Sequence, residues 1–298
     1  MWCDGKEVRS AFGLTFESEM ELPEMDRAIR ADADVRIELG NAPDHLENAD
    51  YADPWYEAAG NRFLLRVPDI ADYYVEHGRR IVIGISDGAS SEDVRVFLLN
   101  SVLPTLLLQR GMVALHGAAV VINGQGTVIL GASQSGKTAL ALALCDREYK
   151  LLADEVCAVA LREGKTVLLP VVPQLNVWAD TLKDSGRDVA GFRPIRRGLE
   201  KYAVHEAGMF LGKPVPLSRV VLLKHHNEAI DLCVSVTGAQ KFSKLVQNIP
   251  FAHLFCKRPA FFTACAEVAR DVSFLEITYA QGAGRVNALS DSMMKELS

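Results

Sequence analysis

The chain has 298 residues, of which 49% are hydrophobic and 23% charged, with a formal net charge of −6. This is an ordinary globular composition, long enough for one large domain or two smaller ones. The negative balance excludes broad binding to nucleic acid or an anionic membrane surface, though not a local basic pocket.

Met1-Trp2-Cys3-Asp4-Gly5 lacks the basic start and apolar run of a secretory signal. The most apolar run, 102–108, contains Pro104 and is too short to span a bilayer. A cytoplasmic protein with no membrane and no nucleic-acid partner is expected. The six cysteines are scattered, with no CxxC pair and no zinc-like His spacing, so reduced thiols are expected.

An N-terminal module without a catalytic motif is read over 10–103. Apolar and polar residues alternate over 12–19, 35–39, 62–67 and 73–75, predicting half-exposed strands, and 80–85 reads as a more buried one. The acidic stretch 41–53 reads as a solvated loop. Helical spacing of Val94, Phe97, Leu98 and Val102 after Ser90 and Ser91 predicts a capped helix over 91–109.

Beyond Met112 the pattern becomes that of buried strands. Strands over 118–122 and 127–130 flank Asn123-Gly124-Gln125-Gly126, a hairpin signal. The second strand runs into Gly131-Ala132-Ser133-Gln134-Ser135-Gly136-Lys137-Thr138, which fits G-x-x-x-x-G-K-[ST] at every required position. With glycine at about 7% of residues, chance yields this pattern roughly once in 100 such chains. The glycines let backbone N–H groups turn toward an anion, Lys137 reaches the β- and γ-phosphates, and the Thr138 hydroxyl offers a Mg²⁺ position. Helix formers follow over 137–147, so strand, loop and helix come in the order a phosphate site requires.

The next strand, 149–153, ends in Asp154-Glu155. Two carboxylates at the end of a buried strand are costly unless they serve a metal or act as a base; a plain strand-terminal acid pair is the alternative. His116, just before the hairpin, either faces the same end of the sheet or is a satisfied core residue.

Further on, 156–161 and 166–172 read as paired strands and 178–183 as a helix, with Asp180 either a metal or substrate contact or an exposed acid. The irregular stretch 186–206 carries Arg193, Arg196, Arg197 and Lys201. Such a loop either supplies cations to a transferring phosphoryl group or is merely solvated, with Lys201 favoured as functional because it starts a strand. Residues 217–224 and 230–236 read as a strand pair with His225-His226-Asn227 at the turn, where adjacent histidines either bind metal or simply make a polar turn, the latter favoured, and 239–248 and 259–270 read as helices. Phe251, Phe255, Phe261 and Phe262 are expected in the core, a strand over 273–279 closes the sheet, and the tail from 281 reads as loosely structured.

Taken together, Leu115-His116-Gly117, the glycine-rich loop and Leu151-Leu152-Ala153-Asp154-Glu155 resemble the catalytic domain of the HPr serine kinase/phosphorylase family. That family has a His-Gly, a P-loop and an Ala-Asp-Asp triplet at the same spacings. The likeness is specific over 112–160 and weaker onward to about 280, and 1–110 do not resemble the family's regulatory domain. Pro173-Gln174-Leu175-Asn176-Val177-Trp178-Ala179-Asp180 resembles the divergent HPr-kinase-related proteins of peptide-biosynthesis clusters, among them kinases of lasso-peptide precursors.

The resemblance implies an α/β P-loop kinase domain of the HPr kinase (PEP carboxykinase-like) type with a mixed sheet over 111–298, preceded by an α+β module over 1–110. It implies ATP and Mg²⁺, held by 131–138 with Lys137 and Thr138 on the phosphates and the metal. Asp154 would be the base toward the acceptor hydroxyl, tuned by His116, and Glu155 a metal ligand or stand-in base. The family's second Asp is Glu155 here, so which of the two carboxylates is base and which metal partner stays open. The family's downstream Glu-Arg-Gly metal motif is not recognisable, so kinase activity without phosphorolysis is expected. The implied activity is transfer of phosphate to a serine of a peptide or small protein; the alternative is a P-loop ATPase or nucleotide-dependent switch. A homo-oligomer is left open.

Overall fold

In the computed structural model, which describes residues 2–30, 32–206, 208–226, 232–280 and 285–297, the chain from Trp2 to Ile85 is mostly strand. In order these are β1 (Trp2–Ala11), β2 (Leu14–Met20), β3 (Asp26–Arg27), β4 (Val35–Leu39), β5 (Tyr51–Ala52), β6 (Tyr56–Ala59), β7 (Arg62–Val67), β8 (Ala71–Glu76) and β9 (Arg80–Ile85). They form a nine-stranded mixed sheet, β3-β1-β2-β4-β9-β8-β7-β6-β5, with β4 parallel to both neighbours. The period of two is visible in β8, where Ala71, Tyr73 and Val75 are buried and the residues between them are not. Phe12, read from the sequence as strand, lies instead in a two-residue turn with Gly13, both at positive φ.

The helix expected over 91–109 is present in three pieces: α1 (Ser91–Phe97), a π-helical turn over Leu98–Val102, and α2 (Leu103–Gln109). Ser90 caps it, its hydroxyl accepting from the Asp93 N–H at 3.1 Å. The widened turn comes just before Pro104, which has no N–H to return to that turn.

The second half contains β10 (Val113–Ile122), β11 (Gln125–Gly131), α3 (Lys137–Cys145), β12 (Lys150–Ala153), β13 (Val156–Arg162) and β14 (Lys165–Leu169). Next come β15 (Leu175–Trp178), α4 (Ala179–Asp184), β16 (Arg193–Pro194), β17 (Lys201–Val204) and β18 (Val215–His226). The chain ends with β19 (Leu232–Val236), α5 (Ala239–Gln247), α6 (Pro259–Asp271), β20 (Ser273–Ala280) and α7 (Arg285–Leu297). An eight-stranded sheet runs β11-β10-β13-β14-β18-β20-β19, with β12 on β10; β11 also lies parallel to β18, which closes five strands into a ring. The short strands β15, β17 and β16 make a third sheet.

β10 changes partners at Gly117, pairing with β13 over 113–116 and with β11 over 117–122. A Cβ at Gly117 would stand 2.5 Å from the Ile129 carbonyl oxygen, so the strand turns this corner only with glycine. That corner is where His116 sits.

Two cores result. The larger runs without a break from the nine-stranded sheet through α1 and α2 to β10, β13, β14 and the α5–α6 pair. The smaller lies on the other side of the eight-stranded sheet, where α3 packs among β10, β15 and α7. The molecule is mixed α/β with mixed sheets, and none of its helices is long and apolar enough to cross a membrane.

Four expectations need correction. β1 went unrecognised in the sequence, and β20 lies inside the sheet between β18 and β19, which were expected to pair with each other, leaving β19 outermost. Of the tail, 281–284 lie outside the described residues, but Arg285–Leu297 is a helix whose Leu289 and Met293 are buried. Phe255 and Phe261 are buried as expected, whereas Phe262 is 56% exposed. Residues 227–231, which take in the end of the expected His225-His226-Asn227 turn and the start of the 230–236 strand, lie outside the described residues.

Candidate active site

β11 delivers the chain into the glycine-rich loop at Gly131, whose φ of +151° and close surroundings exclude a side chain. A Cβ there would meet Ser135 Oγ at 2.5 Å and the Leu223 carbonyl oxygen at 2.6 Å. Ser135 folds inward: its N–H donates to the Ala132 carbonyl at 3.1 Å, and its own carbonyl accepts from Tyr279 Oη at 2.8 Å. The Ser135 hydroxyl is buried without a hydrogen-bond partner. Lys137, the first residue of α3, bends its ammonium back to the carbonyls of Gly131 (3.0 Å) and Ala132 (2.9 Å). Burial lowers its pKa, opposed by the charges of Glu155 and Asp154. The loop thus ends in a helix N-terminus whose free N–H groups and lysine favour an anion.

The acid pair divides its two carboxylates between different partners. Asp154 is buried; its Oδ1 accepts from Thr138 Oγ1 at 3.2 Å and its Oδ2 from the Asn176 N–H at 2.8 Å. Burial, reinforced by the neighbouring Glu155 charge, raises its pKa well above the ordinary carboxylate value. Glu155 follows in the left-handed region, at φ 64°, a conformation that L-residues hold only under constraint. The constraint is visible: the Glu155 carbonyl accepts from the Gly117 N–H at 3.2 Å and faces His116 Nδ1 at 3.1 Å. Glu155 then pairs with Lys201 Nζ, and its other oxygen lies 3.8 Å from His116 Nδ1.

A carbonyl oxygen only accepts, so the neutral His116 ring carries its proton on Nδ1 and leaves Nε2 as an acceptor. Burial lowers the His116 pKa more than Glu155 raises it, which favours that neutral ring. Lys201, at the start of β17, also sits 5.6 Å from the centre of the Trp178 ring, a cation–π distance.

One cavity of about 720 Å³ collects His116, Lys137, Thr138, Glu155 and Lys201 with the loop from Ser133 to Gly136. Asp154 stands behind Thr138, at the edge of a second, smaller cavity. The glycine-rich loop, His116, Asp154, Glu155 and Lys201 thus lie together in space. Arg193 and Arg196 do not: they pair with Glu92 (2.6 Å) and Asp93 (2.9 Å) of α1, away from the loop. Asp180 lines the larger cavity beside Trp178. Asn176, Trp178 and Tyr279 escaped notice as site residues. Trp178 carried the one available signal, an aromatic followed directly by a helix start, and it is 44% exposed at the cavity wall.

No family model matches the chain. Over 113 residues it is 30% identical to the HPr kinase/phosphorylase of Lactobacillus gasseri, a match covering 35% of each protein. The likeness is to part of that enzyme. The chain spans about a third of the length of the curated relative it matches. Among solved structures, the Hpr(Ser) kinase/phosphatase from Coxiella burnetii aligns with 62% of this chain and 95% of its own, at 12% identity and a TM-score of 0.35.

Proposed function

We propose that the chain is an ATP-dependent kinase acting on a hydroxyl, a serine of a peptide or small protein, with a lasso-peptide precursor as the candidate acceptor. Residues 111–298 would form the catalytic unit and 1–110 an accessory module. The observation that carries this reading is the buried Asp154 carboxylate, tied by Thr138 Oγ1 to the phosphate loop. A general base needs reach to the reacting group and a pKa near working pH. The bond to Thr138 supports the first, and the burial that raises the Asp154 pKa supports the second. Partial identity to an HPr kinase/phosphorylase points the same way.

The residues present fit a magnesium nucleotide. The loop offers helix N-terminal amides, an ammonium and the unpartnered Ser135 hydroxyl, in a turn too tight for any side chain at Gly131. Thr138 and Glu155 provide hard oxygen donors of the kind Mg²⁺ takes, which leaves Asp154 as the base. No group of three or more metal-binding acids, histidines or cysteines occurs among the described residues, which suits an ion held by one or two carboxylates together with phosphate oxygens. When bound, the nucleotide supplies the phosphoryl group and Mg²⁺ neutralises its charge.

The chain's own part is positioning and electrostatics. Lys137 exchanges two loop carbonyls for phosphate oxygens, and Asp154 takes the proton of the acceptor hydroxyl. Glu155 holds Lys201 against the phosphate cavity, where its ammonium balances charge on the transferring group. His116 fixes the Glu155 backbone through its Nδ1–H and presents Nε2.

The test is mass spectrometry of a serine-containing lasso-peptide precursor after incubation with the chain, ATP and Mg²⁺. The expected result is a phosphorylated serine. An unmodified peptide alongside rapid ATP loss would make water the acceptor and overturn the kinase reading.

A further inference from the structure

Positive charge gathers at a second place, far from any catalytic motif. On the N-terminal half a cavity of about 510 Å³ is lined by Ala33, Asp34, Arg36, Arg79 and Arg110. It shares no lining residue with the cavity around the phosphate loop. Three guanidiniums against one carboxylate leave this lining with two positive charges in surplus, in a chain whose net charge is −6.

The fold brings the three arginines together through their backbone. Arg36 lies in β4, and its N–H donates at 2.9 Å to the carbonyl of Arg79, just before β9. Arg110 follows α2, and its Nη1 donates to the Gly78 carbonyl at 2.7 Å. The Gly78 N–H donates in turn to Gln109 Oε1 at 2.7 Å. Gly78 has a φ of +64°, and a Cβ there would stand 2.5 Å from Arg110 Cγ. Only glycine lets the β8–β9 turn sit this close to the end of α2.

Little in the protein answers these charges. Asp34 is already used: its Oδ2 accepts from the Thr15 N–H at 2.9 Å and the Thr15 hydroxyl at 3.0 Å, and it pairs with Arg30. Glu17 approaches Arg36 only to 3.9 Å, beyond hydrogen-bond reach. The Arg79 side chain has no ion pair or hydrogen bond among the described residues. The groups are also reachable, since the Arg36 side chain is 67% exposed and Arg79 is exposed. Like charges around one concavity repel, and an anion among them relieves that.

The number of donors selects the anion. A carboxylate has two oxygens, which a single guanidinium fork satisfies. Three forks suit the three acceptor oxygens of a phosphate ester. A cavity of about 150 Å³ takes up one benzene, so this larger one holds a phosphate together with the group that carries it.

We infer that Arg36, Arg79 and Arg110 form a second phosphate site, which binds the phosphate of a monoester, carried by a small molecule or by a serine side chain. The ester is held there and not cleaved, because the only carboxylate of the lining is spent on Thr15 and Arg30. The site stands apart from the kinase reading and gives the N-terminal half a task that no motif in it announces.

The experiment is calorimetry on the full chain with two ligands, β-glycerophosphate and a short phosphoserine peptide. Arg79→Ala and Arg36→Ala, both changes of exposed side chains, should each weaken binding at least about tenfold. Lys137→Ala, shown to be folded by its melting curve, should leave this site within about twofold of wild type. The same peptide with aspartate for phosphoserine should bind at least about tenfold more weakly. β-Glycerophosphate bound within about tenfold of the phosphopeptide would assign the site to small esters, and a tighter peptide would assign it to a phosphorylated polypeptide. No ester binding, binding that survives both arginine changes, or binding lost in folded Lys137→Ala would overturn the second site. An aspartate peptide that binds as well as the phosphopeptide would overturn its phosphate class. None of these outcomes touches the kinase reading, which the transfer assay tests.

Discussion

Asp154 is a residue whose function works against its stability. Burial and the Glu155 charge raise its pKa in the folded state, so the folded form holds its proton more tightly than the unfolded chain does. Between the two pKa values the unfolded state has lost a proton that the folded state keeps, and stability falls as pH rises through that window. Above the raised pKa the full penalty is present. Asp154→Asn should therefore melt higher than wild type at alkaline pH, with the gain shrinking as pH falls toward the ordinary aspartate value. A melting-temperature difference that ignores pH, measured by calorimetry across that range, would contradict the assignment of the strain to Asp154.

At this scale the site was legible wherever covalent spacing carries it. The loop 131–138, the acid pair and His116 lie within 40 residues of one another, on strand ends that the hydrophobic pattern already marked. Tyr279, which holds the Ser135 carbonyl, is 144 positions away and reaches it only because β20 packs beside β18. The partners of Arg193 and Arg196 were hidden for the same reason. Their acidic partners lie on α1, about a hundred residues earlier, and no local pattern records that pairing.

Among the elements, α7 shows how flanking residues hide a helix. Gly282 and Gly284 precede it and read as loop, yet Leu289 and Met293, four apart, put one apolar stripe on α3. Since the phosphate loop ends in α3, α7 supports the site from behind. Met293 is fully buried, so Met293→Ala should cost about 2–5 kcal/mol in urea unfolding. A loss below about 0.5 kcal/mol, ordinary for a surface change, would mean that α7 does not pack there. β11, β12, β13, β18 and β20 were read to within two residues at each end because continuous apolar runs bounded by turns leave little choice, whereas β10 starts at Val113, five residues before the expected strand, and the short β15 and β16 were not read. β1 was missed because its polar residues lack that pattern and it is organised by pairing with β2.

At the scale of the molecule, one apolar core joins the nine-stranded sheet to the eight-stranded one through α1 and α2. The sequence change near residue 110 marks a shift from half-exposed to buried strands, and it does not mark a break in that core. Unfolding followed by fluorescence and by far-UV circular dichroism should accordingly give one coincident transition. Two separated transitions would show that the halves are held more weakly than their shared core implies. Acid pairing at α1, with Glu92 and Asp93 on Arg193 and Arg196, adds a polar seam beside the strand pair that carries Lys201.

The central claim is that Asp154 handles the acceptor's proton rather than holding the nucleotide, and one comparison tests it. Wild type and Asp154→Ala are assayed side by side for transfer of the γ-phosphate of ATP to a serine peptide, with ATP affinity measured on the same samples. Transfer should be abolished in the variant while affinity stays within about threefold of wild type. An Asp154→Ala chain that still phosphorylates at the wild-type rate would contradict the mechanism.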